Sequence, residues 1–214
     1  MIPNEIREKL QDIVNGTRLE GATDRCAKVR NLLIEGFGTG STIKAEFEGR
    51  AIIKEKQTDF LKSWTKEAGL WLDALPAESE YLTKGGESKV YLASDRLNVL
   101  KVNDAIYYAT WGEYLTSLVL HNLLFPNTVY SLIGFTEIDN TLHAVLSQPF
   151  IEGEQATLDD IRDLLSYNGF ENTRRQDYYN AEFGLVLEDM HDENVIANSD
   201  VLFFIDTVFY VMRK

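Results

Sequence analysis

The sequence predicts an α+β chain, with a helical region over residues 1–75 and a strand-rich domain over 80–214. Three observations predict it. Before residue 75, apolar residues recur at spacings of three and four (Ile6, Leu10, Ile13, Val14; Val29, Leu32, Leu33), the period of a helix face. From Tyr81 onward, short runs of β-branched and aromatic residues bounded by turn residues take over. Charge changes at the same place: residues 1–75 hold 12 Lys+Arg and 12 Asp+Glu, whereas the other 139 hold 9 and 22 and carry the whole net charge of −13.

The elements follow in order. Helices are predicted over 3–15 and 22–36, the second with Thr23-Asp24 at its N-cap, and over 57–73, with Trp64 and Trp71 seven apart on one face. The glycine-rich GFGTGS (36–41) follows a helix and lacks a closing Lys-Ser/Thr, so it predicts a helix-ending loop rather than a phosphate loop. ALPAESE (74–80) has linker composition. KVYLA (89–93) and LNVLKVN (97–103) predict strands, and residues 108–124 a helix. Residues 129–153 predict a hairpin turning at Asp139-Asn140. TLDDIRDLLSYNG predicts a helix capped by Thr157 and ended at Asn168-Gly169. FGLVLED, NVIANSD and VLFFIDT predict three short strands, the last two as a tight hairpin; TRRQDYYNAEFG (173–184) does not predict a helix.

Bulk properties narrow the function classes. No run of about 18 apolar residues is present, and MIPNEIREKL has no apolar signal core, so no membrane partner and a cytoplasmic location are expected. A single cysteine, Cys26, excludes an internal disulfide, and with three histidines it argues against a zinc site. The acidic surface disfavours bare nucleic acid and suits a cation, or a polyanion delivered with Mg²⁺.

The chemistry-bearing residues sit in the acidic part. Lys101 interrupts an apolar strand, where an ammonium needs a partner to keep its charge. LEDMHDENVIANSDVLFFIDT (187–207) gathers seven ionisable side chains beside an apolar run. Asp189 stands five residues before Asn194, and twelve residues beyond Asn194 the run ends on Asp206. Taken singly, each feature has a plain structural counterpart: a snorkelling strand lysine, a glycine hairpin, a solvated acidic turn.

Taken in order, these parts resemble a protein-kinase-like phosphotransferase over roughly residues 80–208. More narrowly, GGESKVYL, KVNDAIYYATWGEYL, NLLFPNTVYSLIGFTE, QPFIEG and LEDMHDENV…FFIDT resemble the kinase domain of polyvalent proteins, large multi-domain proteins of phages and mobile elements. The resemblance implies a kinase-like fold: a five-stranded antiparallel N-lobe sheet, a minimal truncated C-lobe and an N-terminal helical region. It implies ATP and Mg²⁺ as cofactors and transfer of the γ-phosphoryl group to a hydroxyl acceptor, with Ser, Thr or Tyr of a protein as the candidate class.

The same resemblance implies roles. Gly85, Gly86 and Ser88 would form the phosphate-covering loop. Lys101 would hold the α- and β-phosphates and pair with Glu113 on the next helix. Gln148, Phe150 and Ile151 would meet adenine. Asp189 would take the acceptor's proton, His191 would contact the γ-phosphate, and Asn194 and Asp206 would hold the metal. The sequence departs from the pattern where Leu187 replaces a His and Val208 a Gly, and the chain ends eight residues after Asp206. These departures keep open a catalytically inactive nucleotide-binding pseudokinase or interaction module; a nucleotidyl transferase on the same scaffold is a third reading.

Overall fold

In the computed structural model, which describes residues 2–38, 47–75, 80–84 and 88–212, the helices α1 (Asn4–Val14), α2 (Arg25–Phe37) and α3 (Phe47–Glu67) come first. Strands β1 (Glu80–Lys84), β2 (Ser88–Leu92) and β3 (Asn98–Asn103) precede α4 (Trp111–Leu124). A hairpin, β4 (Ser131–Ile138) and β5 (Thr141–Pro149), then leads to β6 (Glu154–Gln155) and α5 (Leu158–Tyr167). The chain closes with β7 (Glu171–Arg174), β8 (Asp177–Asn180), β9 (Leu185–Glu188), β10 (Val195–Asn198), β11 (Val201–Phe204) and β12 (Val208–Val211). Gly85 and Gly86 lie outside the described residues, as do Thr39, Gly40 and Ser41 of GFGTGS. Among the described residues no helix is long and apolar enough to cross a membrane.

Side chains set several boundaries as the sequence predicts. Asp24 caps α2 by accepting from Ala27 N–H at 2.9 Å. Thr157 caps α5 through Asp160 N–H at 3.1 Å, and Asp160 accepts in return from the Thr157 hydroxyl. Asp139 and Asn140 (φ 50° and 63°) form the left-handed turn between β4 and β5, and Ser199 and Asp200 (φ 49° and 63°) the one between β10 and β11. One expectation needs correcting. Helix α3 stops at Glu67 because Gly69 turns left-handed at φ 67°. Trp71 is therefore off the helix, in a bridge with Phe135 of β4 and under the Lys66 ammonium, 4.7 Å from its ring centroid. Residues 171–180 form a hairpin, β7–β8, that the sequence pattern did not disclose.

The chain divides into two compact units. One comprises Ala22–Leu115 and Tyr130–Phe150. It is built on a five-stranded antiparallel sheet of order β1-β2-β3-β5-β4, as expected. Helices α2 and α3 pack on β4. There the backbone of Leu70 comes so close to Gly134 that a Cβ would stand 2.3 Å from Leu70 O, which only glycine permits. The α3 side chains Lys54, Gln57 and Thr58 bond Ala105 O and Tyr108 O, Gly112 N–H and Trp111 Nε1 respectively, fixing the entry to α4. Burial of Cys26 (α2) pushes its thiol up to about 12, so it stays protonated and acts as a small apolar core residue.

The other unit comprises Met1–Gly21, Thr116–Val129 and Ile151–Lys214. It holds a three-stranded sheet of order β11-β10-β6 and a four-stranded sheet of order β12-β9-β8-β7, both antiparallel. Its core includes Leu10, Ile161, Leu185, Leu187, Phe204 and Phe209. Phe204 stacks on Phe125 with ring centroids 4.1 Å apart. Arg7 of α1 pairs with Glu182 and lies over the Phe183 ring.

Candidate active site

The acidic loop that follows β9 is braced through its backbone. Asp189 adopts a left-handed conformation (φ 61°), which a short polar side chain tolerates but which needs support. Support comes from β8 and its approach: Asp177 Oδ1 accepts from Asp189 N–H at 3.2 Å, and Gln176 O from Met190 N–H at 2.9 Å. Met190 is fully buried beneath the loop. Asp189 O then accepts from His191 N–H and from the Asn194 Nδ2 amide, both at 2.8 Å.

Asn194 joins the loop to the strand end that bears the next carboxylate. Its carbonyl accepts from Ile205 N–H at 2.9 Å and from Asp206 N–H at 3.4 Å. Asp189, Asn194 and Asp206, separated in sequence, are thus linked by hydrogen bonds of a single residue. Since the Asn194 amino group serves Asp189 O, its Oδ1 is the atom left to a ligand. His191 Nε2 stands 2.8 Å from Asp189 Oδ1, leaving the second carboxylate oxygen open on an exposed side chain. Burial raises the Glu188 carboxyl above its ordinary value, helped by the charges of Asp177 and Asp189.

Behind the loop, Thr207 is buried and fixed. Its hydroxyl meets His121 Nδ1 at 2.8 Å, while His121 Nε2 meets Thr128 O at 2.7 Å. Ser117 Oγ accepts from Phe209 N–H at 2.9 Å. The side chains of α4 residues 117 and 121 therefore hold the segment that follows Asp206, through the Phe209 N–H and the Thr207 hydroxyl. Asp177, His121 and Ser117 were not expected from the sequence, because their roles exist only once the strands are placed.

In the sheet unit, Lys101 of β3 is buried, 6 % exposed, between Val90 of β2 and Leu146 of β5. Its Nζ donates to Tyr130 OH at 3.4 Å and lies 5.3 Å from that ring's centroid, a cation–π contact. Glu113 occupies the first turn of α4, but the ion pair expected with Lys101 is not formed. The Glu113 carboxylate is taken by Arg50 of α3 at 3.5 Å and by Ala109 N–H at 3.1 Å. Ser88 is buried and accepts from Asn103 Nδ2 at 3.0 Å. Gln148 is buried at the end of β5. Phe150 is exposed, with its N–H donated to Leu97 O at 2.8 Å. Ile151, half-buried, begins a segment of the other unit.

A model of the family described as serine/threonine/tyrosine kinase found in polyvalent proteins matches residues 54–213. The chain belongs to this family. The match starts at Lys54, the α3 residue that ties down the approach to α4, and spans every candidate site residue. Membership makes the chain a kinase-like phosphotransferase in general terms, as the resemblance implied. No curated protein and no solved structure matches the chain significantly.

The residues fit the cofactor this kinase family generally uses. Asp206 and Asn194 Oδ1 are hard oxygen donors, the type Mg²⁺ prefers. Among the described residues no group of three or more His, Cys, Asp or Glu side chains could hold a metal by itself. A separate apolar cavity of about 380 Å³, lined by residues such as Ile6, Phe125, Leu165 and Phe204, lies in the unit that carries the acidic loop and has no such donor set.

Proposed function

We propose that the chain is an ATP- and Mg²⁺-dependent kinase that transfers the γ-phosphoryl group to a hydroxyl acceptor, with Ser, Thr or Tyr of a protein as the acceptor class. The observation that carries the reading is the bonding of Asn194, whose amide serves Asp189 and whose carbonyl serves the backbone of Ile205 and Asp206. Phosphoryl transfer asks a protein mainly for positioning and charge neutralisation. A loop fixed by backbone bonds, with the Asp189 side chain exposed, meets that demand.

In this reading Asp189 accepts the acceptor's proton as the new O–P bond forms and the β–γ bridging bond breaks, releasing ADP. His191 orients the Asp189 carboxylate. Asn194 and Asp206 hold the metal, which when bound neutralises charge on the phosphates. Lys101 steadies the α- and β-phosphates. Gly85, Gly86 and Ser88 belong to the phosphate loop, and Gln148, Phe150 and Ile151 to the adenine subsite. The unit built on the five-stranded sheet serves as the N-lobe and the acidic-loop unit as a minimal C-lobe. Residues 80–214 carry the chemistry and the helical region 1–75 supports it. The location is cytoplasmic, with no nucleic acid or membrane partner, and the chain has a phage or mobile-element origin.

A specific observation favours a second reading, a non-catalytic nucleotide-binding module: the Glu113 carboxylate is held by Arg50 and Ala109 N–H. Thermal melting with ATP tests the nucleotide arm that both readings share. ATP with Mg²⁺ is expected to raise Tm, and Asp206→Asn to remove the Mg²⁺-dependent part of the rise. No rise with either ATP or Mg·ATP would count against both readings. Phosphate transfer to any acceptor by the wild type separates the first from the second.

A further inference from the structure

The turn of the β7–β8 hairpin places two adjacent cations, Arg174 and Arg175, in the acidic part of the chain. Residues 151–214 contain fourteen Asp and Glu against five Lys and Arg. Of the described cations there, Arg162 is held by Asp159 and Asp163. The other two, Arg174 and Arg175, are adjacent and exposed at the hairpin turn, and neither forms an ion pair among the described residues.

The turn is built rather than loose. Asn172 Nδ2 donates to Arg175 O at 2.7 Å and to Asp177 O at 3.3 Å, and the Thr173 hydroxyl donates to Asp177 O at 3.2 Å. Arg175 is held left-handed (φ 51°), unfavourable for so long a side chain. The same hairpin supplies both braces of the candidate base: Gln176 O to Met190 N–H and Asp177 Oδ1 to Asp189 N–H. The backbone that bears the two exposed arginines is therefore fixed relative to the Asp189 backbone by the bonds that brace Asp189 itself.

We infer that Arg174 and Arg175 recognise carboxylate side chains of a protein acceptor, making this a kinase for hydroxyls embedded in acidic sequence. The inference deepens the proposed function and rests on it for the role of Asp189. Arg174 pairs with Asp177 across the hairpin, and Asp177 neighbours Asp189, so the turn is two strand spacings from the base, roughly 10 Å. An extended peptide advances about 3.3 Å per residue, so the recognised acid stands about three residues from the acceptor hydroxyl. A guanidinium grips a carboxylate through two parallel N–H···O bonds, which gives direction as well as attraction. On a surface this acidic, an acidic acceptor would be repelled without such a device.

Fluorescence anisotropy with the full chain tests the inference independently of catalysis. The probes are a labelled serine peptide with Glu three residues to either side of the serine and its Gln counterpart. The Glu peptide is expected to bind on the order of tenfold more tightly at low salt. The preference should vanish in the doubly substituted R174A/R175A chain and survive in part in R174K/R175K, with unchanged melting temperatures. Equal binding of the two peptides by the wild type, or an undiminished preference in R174A/R175A, would overturn it. A parallel assay with γ-labelled ATP reads the chemistry, where the Arg-to-Ala substitutions should raise KM for the Glu peptide. Absence of transfer to either peptide would weigh against the kinase reading, while the binding preference still decides the role of the arginines.

Discussion

The two compact units hold their candidate side chains in opposite ways. In the sheet unit, Lys101 is fixed by burial: its strand is flanked on both sides, its ammonium lies on the Tyr130 ring, and only 6 % of it is exposed. In the other unit the Asp189 side chain is open, 61 % exposed, and its backbone is what is fixed, by Asp177, Gln176 and Asn194. The difference teaches how a small domain can position groups with different tasks. A cation that grips a polyanion gains from a dry, low-dielectric setting. A base that must meet an incoming hydroxyl has to remain accessible, so its precision must come from the main chain.

The contrast can be broken by experiment. The largest effect expected is from Phe204→Ala, which empties the stack with Phe125 behind the strand leading to Asp206 and should cost about 3–5 kcal/mol in urea unfolding. A loss below about 1 kcal/mol would mean that the acidic loop does not depend on this core. Arg50→Ala removes an exposed ion pair and should change stability by less than about 1 kcal/mol without slowing phosphate transfer. A tenfold slowing would give Arg50 a part in the chemistry. The smallest effect is expected from Glu188→Gln. The folded-state pKa of Glu188 is raised, so its ionisation disfavours folding, and the penalty grows as pH climbs from the unfolded value of 4.5 through the raised one. The variant should melt slightly higher than wild type at neutral pH, with the gain fading towards pH 4; an acid-side gain that disappears at neutral pH would reverse the sign.

Much of the fold was legible because local chemistry and tertiary placement agree. The Thr157 and Asp24 caps, the turns at Asp139-Asn140 and Ser199-Asp200, and the apolar strand around Lys101 each declare themselves within a few residues. The hairpin β7–β8 did not, because all four residues of β7 are exposed and no alternation of apolar residues marks them. Its order comes from the Asn172 and Thr173 side chains bonding backbone across the turn. The end of α3 was misjudged because Trp64 and Trp71 share a helical spacing that Gly69 interrupts.

The candidate site divides similarly. The spacing of Asp189, Asn194 and Asp206 was visible because they lie in one short stretch. The braces from Asp177 and His121 come from elements 12 residues before Asp189 and 86 before Thr207, and no local pattern foretells them. The partner of Glu113 was misassigned for a related reason. Arg50 reaches it from a helix whose start, at Phe47, the sequence pattern placed ten residues too late.

The central claim is that the loop braced through Asn194 offers Asp189 as the base of a phosphoryl transfer. The direct test is γ-phosphate transfer from Mg·ATP to a serine peptide by the wild type and by Asp189→Asn, with ATP affinity measured alongside. The claim predicts a fall in kcat of about 10²–10⁴-fold with ATP affinity kept within about twofold. Transfer by the Asn variant at the wild-type rate would contradict it.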